Sequence, residues 1–211
     1  MVTQFPPVDW ADETGLLAMG GDLEVETLKL AYTSGVFPWP IEGEPLYWFA
    51  PPQRAILEFK EIHMPDRLQR YFRNSAFSFR VDTNFEAVIR ACAASKNRKG
   101  QRGTWITSDM IAAYIDFHRS GYAHSFEVYS KKSELVGGMY GVLINQFFAG
   151  ESMFYRETNA SKFALLEATH YLRNLGLTWM DVQTLTPLLK RFGAKEIPRA
   201  EFMRKLKRAL V

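Results

Sequence analysis

Residues 123–154 constrain this chain more than any other stretch. Three strand-like runs follow one another with only short breaks. Residues 123–129 alternate, 135–144 are nearly all apolar, and 147–154 form a third run. Strands joined so closely run antiparallel, because a parallel pair needs a long crossover. A helical pattern at 159–174 comes next, and then a strand-like run at 177–182 that leads into Asp181-Val182-Gln183. Residues two apart on a strand share a face, so Glu151 goes with Met153 and Asp181 with Gln183. If the two strands are neighbours, carboxylates, an amide and a thioether meet at one end of a sheet. Gly137-Gly138-Met139-Tyr140-Gly141 just upstream leaves room for close approach to the backbone.

The chain has 211 residues, enough for one good-sized domain or a domain with a small annex. With 47% apolar and 23% charged residues it reads as globular, and 16 Phe make an aromatic-rich core in which an apolar pocket is easily built. A net charge of +3 is too small for wrapping DNA, yet it allows local patches that hold a few phosphates. The single cysteine, Cys92, excludes an intrachain disulfide framework and fits a reducing compartment. There is no basic segment leading into an apolar signal stretch, and no run near the ~18 apolar residues of a membrane span. The expected location is the cytoplasm, with no membrane partner.

Residues 1–62 are rich in Pro, Gly and Trp, and segments such as Val36-Phe37-Pro38-Trp39-Pro40 cannot form a long helix. They are expected to form a small N-terminal domain whose rings face a larger one at 63–211. On sequence alone Trp39 serves equally as a staple between lobes or as a stacking ring. From residue 63 the elements become regular. A short helix carries Arg67, Arg70 and Arg73, a strand holds Phe77, Phe79 and Val81, and an amphipathic helix holds Phe85, Val88, Ile89 and Cys92. The loop with Lys96, Arg98, Lys99 and Arg102 is either a solvated charge run or a phosphate contact. Ser108 is placed to cap the next helix, and a basic helix ends the chain. The expected fold class is α+β, with a mixed, largely antiparallel sheet and flanking helices. The element order resembles the GNAT acyltransferases.

GNAT acetyltransferases hold the coenzyme A pyrophosphate on a glycine loop at a helix N-terminus. At the equivalent place this chain reads Arg156-Glu157-Thr158-Asn159-Ala160-Ser161, with Asn159 and Ser161 where glycines are needed. That loop argues against acetyl-CoA, although a CoA-dependent N-acetyltransferase stays as the alternative. Asn159 or Ser161 can cap the helix instead. The histidines His63, His118, His124 and His170 lack metal-ligand spacing, and neither Ser125 nor Ser152 sits in a nucleophile elbow. No cofactor is expected. What remains suits a donor that arrives activated, with the protein positioning reactants and managing one proton.

The chain resembles the bacterial leucyl/phenylalanyl-tRNA–protein transferases along nearly its whole length. The matching segments include Gly15-Leu16-Leu17-Ala18-Met19-Gly20-Gly21-Asp22-Leu23, Gly35-Val36-Phe37-Pro38-Trp39 and Gly103-Thr104-Trp105-Ile106. Further on come Leu135-Val136-Gly137-Gly138-Met139-Tyr140-Gly141-Val142, Gly150-Glu151-Ser152-Met153-Phe154, Asn159-Ala160-Ser161-Lys162 and Asp181-Val182-Gln183. The resemblance implies transfer of Leu or Phe, less readily Met, from aminoacyl-tRNA to proteins beginning with Arg or Lys, marking them for degradation. It assigns Asp181 and Gln183 to catalysis, orienting the incoming α-amine and helping to remove its proton. Glu151 and Met153 match the donor side-chain pocket, and Trp39 and Trp105 match rings that contact the terminal adenosine. Tyr32 and Tyr114 match hydroxyl-bearing site residues, with helix-face packing as the plain alternative. Asn159 and Ser161 join the expected substrate contacts. Members commonly have Cys and His where this chain has Val182 and Leu188, so neither type is essential at those places. A monomer is expected.

Overall fold

The computed structural model describes residues 1–41, 43–95 and 105–211. The chain opens with β1 (Leu16–Met19), α1 (Val25–Thr33), β2 (Phe37–Trp39) and β3 (Tyr47–Phe49), whose strands pair antiparallel in the order β1-β3-β2. A second sheet takes in β4 (Gln53–Glu58), β5 (Ser78–Val81), β6 (Ala123–Tyr129), β7 (Leu135–Ile144), β8 (Phe147–Tyr155), β9 (Trp179–Gln183) and β10 (Lys195–Pro198). Its order is β10-β4-β9-β8-β7-β6-β5, and every neighbouring pair is antiparallel except β8 with β9. The helices are α2 (Asp66–Asn74), α3 (Phe85–Ala93), α4 (Ser108–Arg119), α5 (Ala160–Asn174), α6 (Pro187–Arg191) and α7 (Arg199–Ala209). This is the mixed, largely antiparallel sheet with flanking helices that the sequence pattern implies. No helix among the described residues is long and apolar enough to cross a membrane.

The β7–β8 hairpin turns at Asn145, which takes a left-handed φ of 52°. Asn tolerates that conformation better than most residues, and here its side-chain amide also donates to the Leu210 carbonyl at 2.6 Å. Alternate residues of the inner strands feed two apolar cores, one on each face. Ile56, Tyr140, Val142 and Trp179 join the core shared with α1, α3, α4, α7 and the small sheet. Ala55, Leu57, Met139 and Met180 join the core under α5.

The boundary expected at residue 62 does not match the sheet pairing. β4 lies inside the expected N-terminal domain, yet it is an inner strand of the large sheet, hydrogen-bonded to β9 on one side and β10 on the other. Arg54, Ala55, Ile56 and Leu57 are all buried, as an inner strand requires. The change of sheet falls at Pro51-Pro52, where ladder donors are missing. Moreover, Tyr32, Phe37 and Trp48 pack into the same core as Tyr114, Phe117 and Phe202, so the small sheet has no separate interior.

Three local expectations also change. A Cβ on Gly137 would stand 2.5 Å from Ala160, and one on Gly141 2.4 Å from the Ala149 carbonyl. These glycines therefore admit α5 and β8 rather than a ligand. The cap of α4 is Thr107, whose hydroxyl accepts from the Met110 N–H at 3.3 Å, and Ser108 is the first helical residue. Asn159 holds the cap position of α5 with φ 68° but accepts no backbone N–H there, because its amide oxygen receives Lys162 Nζ at 2.8 Å. The basic loop residues Lys96, Arg98, Lys99 and Arg102 lie outside the described residues.

Candidate active site

β8 and β9 run parallel but share one paired position, Ala149 opposite Asp181. Beyond it the two strands stop pairing with each other, and a cleft of about 620 Å³ opens between them. Its walls include Gly150, Glu151 and Met153 of β8, Met180, Val182 and Gln183 of β9, and Ser161 and Leu165 of α5. Trp39 and Trp105 line it as well.

Two register irregularities shape this cleft. Tyr140 faces Ser152 while Gly141 faces Gly150, which makes Glu151 the extra residue on β8. Ala55 faces Gln183 while Ile56 faces Asp181, which makes Val182 the extra residue on β9. Such bulges bend a strand and re-aim its side chains. Here two of them stand on neighbouring strands, at the point where those strands separate. Gln183 follows its bulge with φ 60°, a left-handed conformation that costs a non-glycine residue about 1 kcal/mol or more.

Asp181 and Gln183 occupy different layers. Gln183 is on the cleft wall, and its amide nitrogen donates to Glu151 Oε1 at 2.7 Å. Asp181 has no exposed surface and is absent from the wall formed by Met180, Val182, Gln183 and Thr184. Its carboxylate accepts Arg54 Nε at 2.9 Å and Arg54 Nη2 at 2.7 Å, while Oδ1 also receives the Gln183 backbone N–H at 2.8 Å. Asp181 thus fixes the Gln183 backbone from behind the cleft wall and makes its hydrogen-bonded contact with that wall through that residue.

Arg54 carries no mark in the sequence that sets it apart as a site residue. Its side chain is 2% exposed, and the Phe37 and Phe202 ring centroids lie 4.4 and 4.6 Å from Cζ. The available signal was a lone arginine heading the apolar run Ala55-Ile56-Leu57. A buried charge in such a setting needs a partner.

Glu151 is the carboxyl of the cleft wall. It accepts from Gln183 Nε2, and the nearby Tyr32 hydroxyl favours its charged form. Burial, followed by the nearby Asp181 charge, carries its carboxyl up to about 8, against the opposing pull of those donors and of Arg54. Tyr32 and Tyr114 lie behind it, fully buried and hydrogen-bonded hydroxyl to hydroxyl. Burial first, and then the Glu151 charge, raises both phenols well above their ordinary range. Neither tyrosine touches the cleft, so they support Glu151 from behind and are poorly placed to contact a substrate directly.

Trp39 and Trp105 stack on each other with centroids 5.2 Å apart and planes 17° apart, while still presenting surface to the cleft. Asn159 lines a neighbouring hollow of about 880 Å³, together with Arg67, Arg70, Lys162 and Arg191. Leu188 belongs to the walls of both spaces, so a basic surface adjoins the cleft. The C-terminal helix contributes less to such a surface than its composition implies, because Lys205 is spent on Glu58 at 2.7 Å.

Likeness to other proteins supplies the family. Residues 56–207 match the model for leucyl/phenylalanyl-tRNA protein transferase, and residues 21–52 match that of the N-terminal domain of the same family. The two matches meet near the start of β4. A leucyl/phenylalanyl-tRNA–protein transferase from Anaeromyxobacter sp. (strain K) is 47% identical over 206 residues, 98% of this chain and 88% of that one. One from Flavobacterium johnsoniae is 45% identical over 203 residues, 96% of this chain and 95% of that one. Among solved structures, L-PGS from Bacillus licheniformis aligns with 78% of this chain and 54% of its own, at 13% identity and a TM-score of 0.45. A GCN5-related N-acetyltransferase-like protein from Streptococcus suis aligns with 82% and 63%, at 15% identity and a TM-score of 0.38, and both likenesses are loose. The chain belongs to the leucyl/phenylalanyl-tRNA–protein transferase family of aminoacyltransferases.

Proposed function

We propose that this protein moves Leu or Phe, and less readily Met, from aminoacyl-tRNA to the α-amine of proteins that begin with Arg or Lys. The new peptide bond marks those proteins for N-degron-dependent degradation. The protein acts as a monomer in the cytoplasm. One observation carries the reading. A cleft with an apolar wall, a tryptophan pair and a hydrogen-bonded Gln183–Glu151 couple brings three kinds of recognition into one space.

Each kind has a chemical task. Met153, with Leu165 and Val182, receives the donor's side chain. An apolar pocket separates such side chains by only about 1–3 kcal/mol per methylene, which suits a donor set of Leu, Phe and Met. The tryptophan pair takes the terminal adenine, since stacking a base on such rings is worth about 1–3 kcal/mol and is tolerant of sequence. Arg67, Arg70 and Arg191 in the adjoining hollow meet acceptor-stem phosphates.

Gln183 and Glu151 receive the attacking amine. An α-amine has a pKa of roughly 7.7–8.0, so at neutral pH only about a tenth of it is nucleophilic. A carboxyl held at about 8 is matched to exchange that proton. The amine nitrogen then bonds to the ester carbonyl carbon, the ester C–O bond breaks, and the ribose oxygen leaves carrying a proton. Because the ester is already activated, positioning carries most of the catalysis. Asp181 contributes from behind, by holding Gln183.

Labelled leucine should pass from leucyl-tRNA to an Arg-initiated peptide, and Gln183→Ala should lower that transfer by at least about a hundredfold. Saturable use of acetyl-CoA with no transfer from leucyl-tRNA would establish the N-acetyltransferase alternative instead.

A further inference from the structure

We propose that Arg54 is a positioning residue for the transfer reaction, acting through Asp181 on the conformation of Gln183. The inference rests on the reading of the cleft given above.

The chain of contacts is continuous. Arg54 donates two hydrogen bonds to the Asp181 carboxylate in a parallel fork, at 2.9 and 2.7 Å. That carboxylate in turn accepts the Gln183 N–H at 2.8 Å, across a residue with φ 60°. A left-handed non-glycine residue persists only where its surroundings hold it. Here the hold is a carboxylate whose own place is fixed by a planar guanidinium. The Gln183 side chain then meets Glu151 at 2.7 Å on the cleft wall.

The guanidinium is itself set from three directions. Phe37 of β2 and Phe202 of α7 flank it at 4.4 and 4.6 Å, and Nη1 reaches the Gly35 carbonyl at 3.4 Å. Arg54 therefore links the seating of the N-terminal segment and of the last helix to the placement of a side chain in the cleft. As a source of stability alone the ion pair is a poor choice, because two well-packed apolar side chains do as well or better. Its distinctive contribution is orientation, and lysine cannot supply the fork.

The test separates positioning from folding. Arg54→Lys keeps the charge, and the double variant Arg54→Met with Asp181→Met removes both buried charges together. The double variant should unfold at a urea midpoint close to wild type and bind leucyl-tRNA within a factor of about three. Its transfer kcat should nevertheless drop about a hundredfold, the usual cost of an ångström-scale misplacement. Arg54→Lys should show the same split between kcat and KM. In parallel, the Gln183 side-chain amide resonances, identified by their loss in Gln183→Ala, should shift and lose exchange protection in both variants. A folded double variant with wild-type kcat, or with unmoved Gln183 resonances, would overturn the proposal. If the wild-type protein transfers nothing, the reaction assigned to the cleft is wrong, and the resonances still decide whether Arg54 sets Gln183.

Discussion

Replacing Glu151 by Gln should flatten the pH dependence of folding stability. In the unfolded chain this carboxyl titrates near its ordinary 4.5, and in the folded protein burial carries it to about 8. Between those values the folded state keeps a proton that the unfolded state has released. The stabilising contribution is therefore complete below about 4.5 and is lost as pH rises through 8. Each pH unit of that window is worth about 1.4 kcal/mol, so the ceiling is about 5 kcal/mol. Water entering the cleft screens part of the burial, which leaves about 2 kcal/mol between pH 5.5 and 8.5. The amide of Glu151→Gln mimics the protonated acid and keeps an acceptor oxygen for Gln183 Nε2. Urea unfolding of both proteins across that range measures the effect. Wild type should lose about 2 kcal/mol more than the variant on going to pH 8.5. Parallel stability curves would show that the carboxyl is ionised throughout, and the account of the amine's proton would fail with them.

Trp39→Ala or Trp105→Ala should weaken aminoacyl-tRNA binding by about 1–3 kcal/mol per ring, seen in filter binding, with a smaller effect on single-turnover rate. Met153→Ala should widen the donor pocket and shift competition between Phe-tRNA and Leu-tRNA toward Phe by about tenfold. Arg67→Ala combined with Arg70→Ala should lower tRNA affinity for all donors alike, and the salt slope of binding should become shallower by about one for every phosphate left without its arginine.

The architecture is largely legible in the sequence because its signals are periodic. The run from β6 to β8, α5 and β9 can be read from apolar spacing and short connections alone. β4 reads with the N-terminal segment because its six residues follow a Pro-rich stretch and resemble their predecessors in composition, whereas its partners β9 and β10 come more than a hundred residues later. At the candidate site, the spacing of Glu151, Met153, Asp181 and Gln183 singles out the two strands that border the cleft, and all but Asp181 line it. The bulges at Glu151 and Val182 break strict alternation and have no sequence signature of their own. Arg54 is invisible for a related reason. Its meaning lies in a contact across 127 positions, and locally it is one arginine in one strand.

Transfer from a minimal system bears most directly on the central claim, that an activated aminoacyl ester meets a free amino terminus beside Gln183 and Glu151. Leucyl-tRNA, the purified protein and two copies of one Arg-initiated peptide suffice, one with its α-amine open and one with it acetylated. Mass spectrometry should find a single leucyl residue on the open peptide, joined to the α-nitrogen, with deacylated tRNA released in equal amount. Leucylation of the blocked peptide, or deacylation of the tRNA with no peptide product, would contradict the account.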